Sequence, residues 1–211
     1  MRTESSQRFP FLGKERLGVI LFSVLIGEVT LILLSWILSA AGVEGVRSLL
    51  SGEGVRWFVG DFAWMVASPL LVWIILLMIA IGAFLRSGLT SLWHEGRSRM
   101  MSYRDRTAFR VSLVLLVAYV IAILLLTVVP HAVLLSVSGS LFPSPFSRSI
   151  IPIVAFGIVL VSISFGMISG RMQSLSDVLE ALSYGIQKYA PLLVLYIFCM
   201  QLYQSLCFVF F

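Results

Sequence analysis

Residues 86–110 read RSGLTSLWHEGRSRMMSYRDRTAFR. Six arginines (Arg86, Arg97, Arg99, Arg104, Arg106 and Arg110) stand there against two acids, Glu95 and Asp105. On either side lies a long apolar run, Phe62–Leu85 before and Val111–Val129 after. Arginine and lysine beside membrane spans are kept on the cytoplasmic side, so this stretch sets which way the chain faces. Three more apolar runs lie further out: Leu17–Ala41, Ile150–Ile168 and Tyr189–Phe211. About 20 apolar residues cross a bilayer as a helix. The expectation is an all-α membrane protein of five transmembrane helices with short loops and one or two interfacial helices. No long polar linker occurs, so 1–211 reads as a single helical bundle.

Composition agrees. The chain has 211 residues, 59% hydrophobic and 12% charged, about half the charge of a soluble domain. Mean hydropathy is +1.03. Net charge is +5. The bases cluster in short loops beside spans, where topology and anionic lipid account for them. No basic-aromatic surface or helix-turn-helix pattern points to nucleic acid. Cys199 and Cys207 fall eight positions apart on one helix, about 12 Å of rise and too far to bridge.

Twelve of the 15 Lys and Arg fall in the N-terminal segment and the second and fourth loops; three fall in the first and third. The predicted topology therefore has the N-terminus in the cytoplasm and the C-terminus outside, in a bacterial cytoplasmic membrane. The first run ends Ser39-Ala40-Ala41, like a signal-peptidase site, but it is longer than a signal core and Glu28 interrupts it. It reads as an uncleaved span. Around Val46–Leu50 and Trp57-Phe58 an interfacial helix is expected, and Pro69 is expected to kink the second span. Ser174 to Asp177 has the form of a helix start. Val178, Leu179, Leu182 and Ile186 then give an apolar stripe, expected as a short surface helix. Pro191 is placed in the first turn of the fifth span.

Glu28 is the sharpest candidate for chemistry, because a mid-span carboxylate is expensive and commonly pairs or relays protons or ions. Its partner cannot be read from the sequence. Gln201 and Gln204 lie three apart on the fifth span and share a face, suited to interhelical hydrogen bonding or to a pathway. Glu28, Gln201 and Gln204 are the predicted substrate or ion pathway residues. Ser162, Ser164 and Ser169 are expected to bond their own helix or pack closely. Tyr189, Tyr196 and Tyr203 recur every seven residues and are expected to pack. Asp61 reads as an interfacial charge at the mouth of the second span. His94 and His131 lie outside the spans. No phosphate loop, H-E-x-x-H, C-x-x-C or G-x-S-x-G pattern is present. No catalytic residue, metal site or cofactor is predicted, and the chain does not read as an enzyme.

Three pieces resemble the p-aminobenzoyl-glutamate transporter (AbgT-like) family of bacterial membrane proteins. The first is Ser48-Leu49-Leu50-Ser51-Gly52-Glu53-Gly54-Val55-Arg56-Trp57, followed by a span that ends Gly82-Ala83-Phe84-Leu85-Arg86-Ser87-Gly88-Leu89. The second is Ser144-Pro145-Phe146, opening a span that ends Phe165-Gly166-Met167-Ile168-Ser169-Gly170. The third is Ser176-Asp177-Val178, followed by Leu192 to Gln201. The resemblance implies a secondary transporter, dimeric, moving p-aminobenzoyl-glutamate or folate-pathway antimetabolites on an ion gradient. It implies a short form lacking the regions of both re-entrant hairpins. The interrupted helices that form such a carrier's substrate site are then expected to be missing. No substrate-binding residue carries over.

Three hypotheses follow: a reduced transporter acting as an oligomer, a non-transporting scaffold or partner subunit derived from one, and a channel of oligomerised spans. The expected partners are the lipid bilayer and a homo-oligomer or second membrane subunit.

Overall fold

The computed structural model describes residues 14–90, 103–128 and 145–211. The polar start of the chain, Trp93, His94, Arg97, Arg99, His131 and Pro143 lie outside the described residues. Six helices are described: α1 Lys14–Ala40, α2 Gly52–Val66, α3 Pro69–Ser87, α4 Tyr103–Val128, α5 Pro145–Ile168 and α6 Leu175–Phe210. All but α2 are long and apolar enough to cross a membrane. The described helices divide between two compact units, one holding the stretch to Leu71 together with Ala190–Phe211, the other Val72–Tyr189.

Three boundaries differ from expectation. Val46–Leu50 is loop, and the helix expected to include it begins only at Gly52. Residues 62–85 are not one kinked span: α2 stops at Val66 and α3 starts at Pro69. Proline suits a first helical position because it has no N–H to lose there, and it pushes the preceding residue out of the helical region. The expected surface helix from Ser174 and the fifth span are instead one helix of 36 residues. Pro191 therefore lies inside a continuous helix rather than in a first turn. The helix start itself is as read. Asp177 Oδ2 accepts from the N–H of Gln173 (2.8 Å) and Ser174 (3.0 Å), and Ser174 Oγ accepts from Asp177 N–H (3.2 Å). Those bonds occupy donors that a helix start leaves free.

In the first unit, α1 and the C-terminal half of α6 run side by side in the same direction. Leu202 faces Gly27, Ser205 bonds Glu28, and Phe208 and Val209 pack with Leu31 and Leu49. The α1–α2 loop folds onto this end. Arg47 N–H donates to Val209 O (3.0 Å) and Leu49 N–H to Ser35 Oγ (3.2 Å). Ser51 caps α2 by accepting from Gly54 N–H (3.0 Å). Trp57 stacks on Phe208 with ring centroids 4.3 Å apart, and Arg47 lies over the same Phe208 ring.

In the second unit, α4 and α5 form an antiparallel pair. Tyr119 Oη donates to Ile153 O (2.8 Å), and its ring covers Gly157. Gly82 of α3 and Gly185 of α6 meet backbone to backbone, so that a Cβ on Gly185 would run into the Met78 carbonyl and Gly82 N. Small residues permit this approach, which drives helix association where lipid is as apolar as leucine. Arg86 pairs with Glu180 and lies over Tyr184. Arg171 donates to Ser87 O (3.5 Å), faces Asp105 (3.8 Å) and covers Phe165. It thereby ties the end of α3 to the first turn of α4.

Gly185→Val is expected to lower the thermal stability of the purified protein in detergent by the 1–3 kcal/mol or more typical of overpacking. Gly18→Ala, at a helical position with nothing within 4 Å, should not lower it. Equal melting of the two variants would refute the backbone contact.

Candidate functional site

The two ideas carried by the sequence, an acid in a span and polar residues on α6, come together in the first unit. Glu28 sits near the middle of α1. Ser205 Oγ donates to Glu28 Oε1 (2.8 Å) and accepts from Gln201 Nε2 (3.2 Å). Gln201 and Ser205 are four apart on α6, hence on one face. Ser205 is fully buried and Gln201 is 6% exposed. Two buried oxygens, Glu28 Oε2 and Gln201 Oε1, have no partner among the described residues. A cavity of about 190 Å³ lies beside Glu28, walled by Ile32, Leu49, Leu50, Val55 and Phe58. The helix of α1 and the folded-back loop thus leave one polar group facing a small apolar space.

Gln204 does not join this cluster. It is half-buried on α6, and its position is turned about 100° from Ser205. Of the predicted pathway residues, the structure brings Glu28 and Gln201 together and leaves Gln204 aside. The member missed by sequence reasoning is Ser205, which supplies the partner of Glu28. Its signal was available: a polar residue one helical turn beyond Gln201.

The second feature is the break between α2 and α3. Ala67 has φ −75° and ψ 63°, and Ser68 N–H donates to Val66 O (2.8 Å), the geometry of an inverse γ-turn. Tyr196 of α6 seals it. Its Oη lies 2.6 Å from Ser68 Oγ and donates to Val66 O (3.2 Å). Tyr196 and Phe208 stand about 18 Å apart along α6, and Trp57 to Val66 covers about 14 Å of α2. Since Trp57 meets Phe208 and Val66 meets Tyr196, α2 must run alongside α6 rather than across it. Residues 52–87 are thus two helices with a break at Ala67–Ser68, outside the regions where the hairpins are expected to be missing.

The remaining candidates fall out as follows. Asp61 lies within α2, beside a recess shared with Glu53, Arg56, Trp57 and Gly60, and not at the mouth of a span. Ser169 bonds back to Gly166 O (3.2 Å). Ser162 is buried, with no partner for its hydroxyl among the described residues. It lines an apolar cavity of about 380 Å³ beside Tyr119 and Gly157. The three tyrosines differ: Tyr196 is buried and bonded, Tyr189 lies under Lys188, and Tyr203 is 59% exposed. Both cysteines are free. Among the described residues no group of His, Cys, Asp and Glu is arranged to hold a metal.

Helices of this length and apolarity define a multi-pass α-helical membrane protein. A family model described as the AbgT putative transporter family matches residues 93–208. The match covers more than half of the chain, and the chain belongs to that family. No curated protein and no solved structure matches it. The matched range takes in the second and third of the resembling pieces; the first, Ser48 to Leu89, lies before it.

Tyr196→Phe removes the donor that the break relies on. It is expected to destabilise the protein by about 1–3 kcal/mol, the cost of stranding buried polar groups, while Tyr203→Phe is neutral. Thermal unfolding of the two variants in one detergent checks this; an unchanged Tyr196→Phe would contradict it.

Proposed function

We propose that the chain is a secondary carrier that moves p-aminobenzoyl-glutamate or a related folate-pathway antimetabolite across a bacterial cytoplasmic membrane, driven by an ion gradient. Its N-terminus and the arginine loop face the cytoplasm. Glu28 and Gln201 belong to the ion pathway, and Gln204 lies at its edge. The observation that supports this reading, in a chain of this family, is the α2–α3 break sealed by Tyr196 of α6. Within a bilayer, irregular backbone is tolerated only inside protein or along a water-filled cavity. Carriers use interrupted helices to build their sites.

A second reading, a non-transporting partner subunit, draws on a different observation. The cavity beside Glu28 and the one beside Tyr119 have no cationic side chain on their walls, although the substrate named above is anionic.

Flux separates the two. Purified protein in liposomes should take up radiolabelled p-aminobenzoyl-glutamate above empty liposomes under an imposed ion gradient. Glu28→Gln should reduce uptake about tenfold, within the usual 1–3 kcal/mol of coupling between sites. In cells, a cysteine at Ser176 on a Cys199→Ser, Cys207→Ser background should react with an impermeant maleimide only after the membrane is opened. Absence of flux under every gradient favours the subunit reading, and labelling of Ser176 from outside reverses the orientation.

A further inference from the structure

The unit that does not contain Glu28 holds a cavity of about 380 Å³ between α4 and α5. Leu116, Val120 and Leu124 follow at steps of four on α4, and Val154, Ile158 and Ser162 do so on α5. Residues four apart share a helix face, so two stripes face each other across a slot about 12 Å long. Val120, Leu124 and Val154 are 46%, 52% and 52% exposed. They are apolar and belong to spans, so the slot opens on hydrocarbon rather than on water. No charged residue lines it.

One polar atom of that slot is left over. Ser162 is fully buried and lines the slot, and its Oγ has no partner among the described residues. Ser23, Thr30 and Thr127 bond the carbonyl one turn back; Ser162 does not. Buried hydroxyls are normally bonded. A water in the slot would need two to four polar partners. The other hydroxyl of the wall, Tyr119 Oη, is given to Ile153 O, about 13 Å along α5 from Ser162. One water cannot bridge the two.

We propose that the slot is a binding site for a neutral, lipid-soluble aromatic molecule with one hydrogen-bonding group, which enters from the bilayer and pairs that group with Ser162 Oγ. The class of ligand follows from the wall. An ion would lose its hydration there and meet no opposite charge. The rings of Tyr119 and Phe84 line the slot, and aromatic rings favour offset or edge-to-face contact with another ring. An apolar cavity of about 150 Å³ holds benzene, so one of about 380 Å³ admits a fused pair of rings. A lipid acyl chain would fill the same space and leave Ser162 unbonded. The ligand differs in class from the anionic substrate proposed above, and the site does not depend on the carrier reading.

Binding is therefore measured without transport. Radiolabelled 2-naphthol and naphthalene are each equilibrated with the full chain in phosphatidylcholine nanodiscs, and uptake by empty nanodiscs is subtracted. The expected result is saturable binding of one 2-naphthol per chain, about two- to tenfold tighter than naphthalene, the margin that one hydrogen bond supplies. Ser162→Ala should weaken 2-naphthol to the level of naphthalene and leave naphthalene unchanged. It should also melt like the unaltered protein, because the hydroxyl has no partner to lose. Val161→Phe, which fills the slot, should lose both ligands. Should Val161→Phe not be recovered folded, the two probes on the unaltered chain and on Ser162→Ala carry the test. Absence of saturable binding would overturn the proposal, as would binding that a folded Val161→Phe retains. Equal affinity for the two probes would also overturn it and mark the slot as a groove for acyl chains. A lower melting temperature of Ser162→Ala would show the hydroxyl already bonded within the protein, with the same consequence. Binding by a protein without flux would retain the site and remove the carrier.

Discussion

Hydrocarbon supplies no hydrogen bonds, and each unsatisfied polar group within it costs several kcal/mol. That constraint fixes where the polar residues of this chain can stand. Ser23, Thr30 and Thr127 satisfy it locally, each bonding the carbonyl one turn back, on Val19, Ile26 and Ile123. Glu28 cannot do so. Its carboxylate needs a donor from another helix, and Ser205 is placed to give one. The break at Ala67 needs the same remedy, and Tyr196 supplies it. Two positions on α6 therefore anchor α1 and the α2–α3 junction.

Where polar bonding is absent, close approach of backbones takes over. Gly82 against Gly185 is the clearest instance, since either Cβ would meet main-chain atoms of the other helix. Gly88 shows a related device. It has φ +83°, and the guanidinium of Arg171 fills the space a side chain would need. The resembling pieces Ser87-Gly88-Leu89 and Phe165 to Gly170 are thus brought together by the arginine that follows the second of them. A short motif that looks weak in one dimension becomes part of a three-way contact with Asp105.

Much of this was legible in the residues. Apolar runs of spanning length gave the five long helices, and S-x-x-D gave the start of α6. A carboxylate in the middle of an apolar run marked Glu28 as requiring a partner. What could not be read was which partner, because a serine in a span usually bonds its own helix and Ser205 looks like any other. The register of α1 against α6 decides it, and register between apolar helices leaves little trace in either sequence. The helix break was hidden for a similar reason. Ser68-Pro69 reads equally as a kink or as an end followed by a start, and the choice depends on Tyr196, 128 positions away. The fusion of the surface helix with the fifth span went unread because Pro191 suggests a first turn, while a long membrane helix can tolerate proline in its interior.

The account turns on the coupling of Glu28 to Ser205 across the α1–α6 contact. A double-mutant cycle of Glu28→Leu and Ser205→Ala, read by unfolding in one membrane mimetic, measures it directly. The account predicts a coupling energy of about 0.5–3 kcal/mol, the range for residues that share a bond. Strictly additive effects of the two substitutions would contradict it.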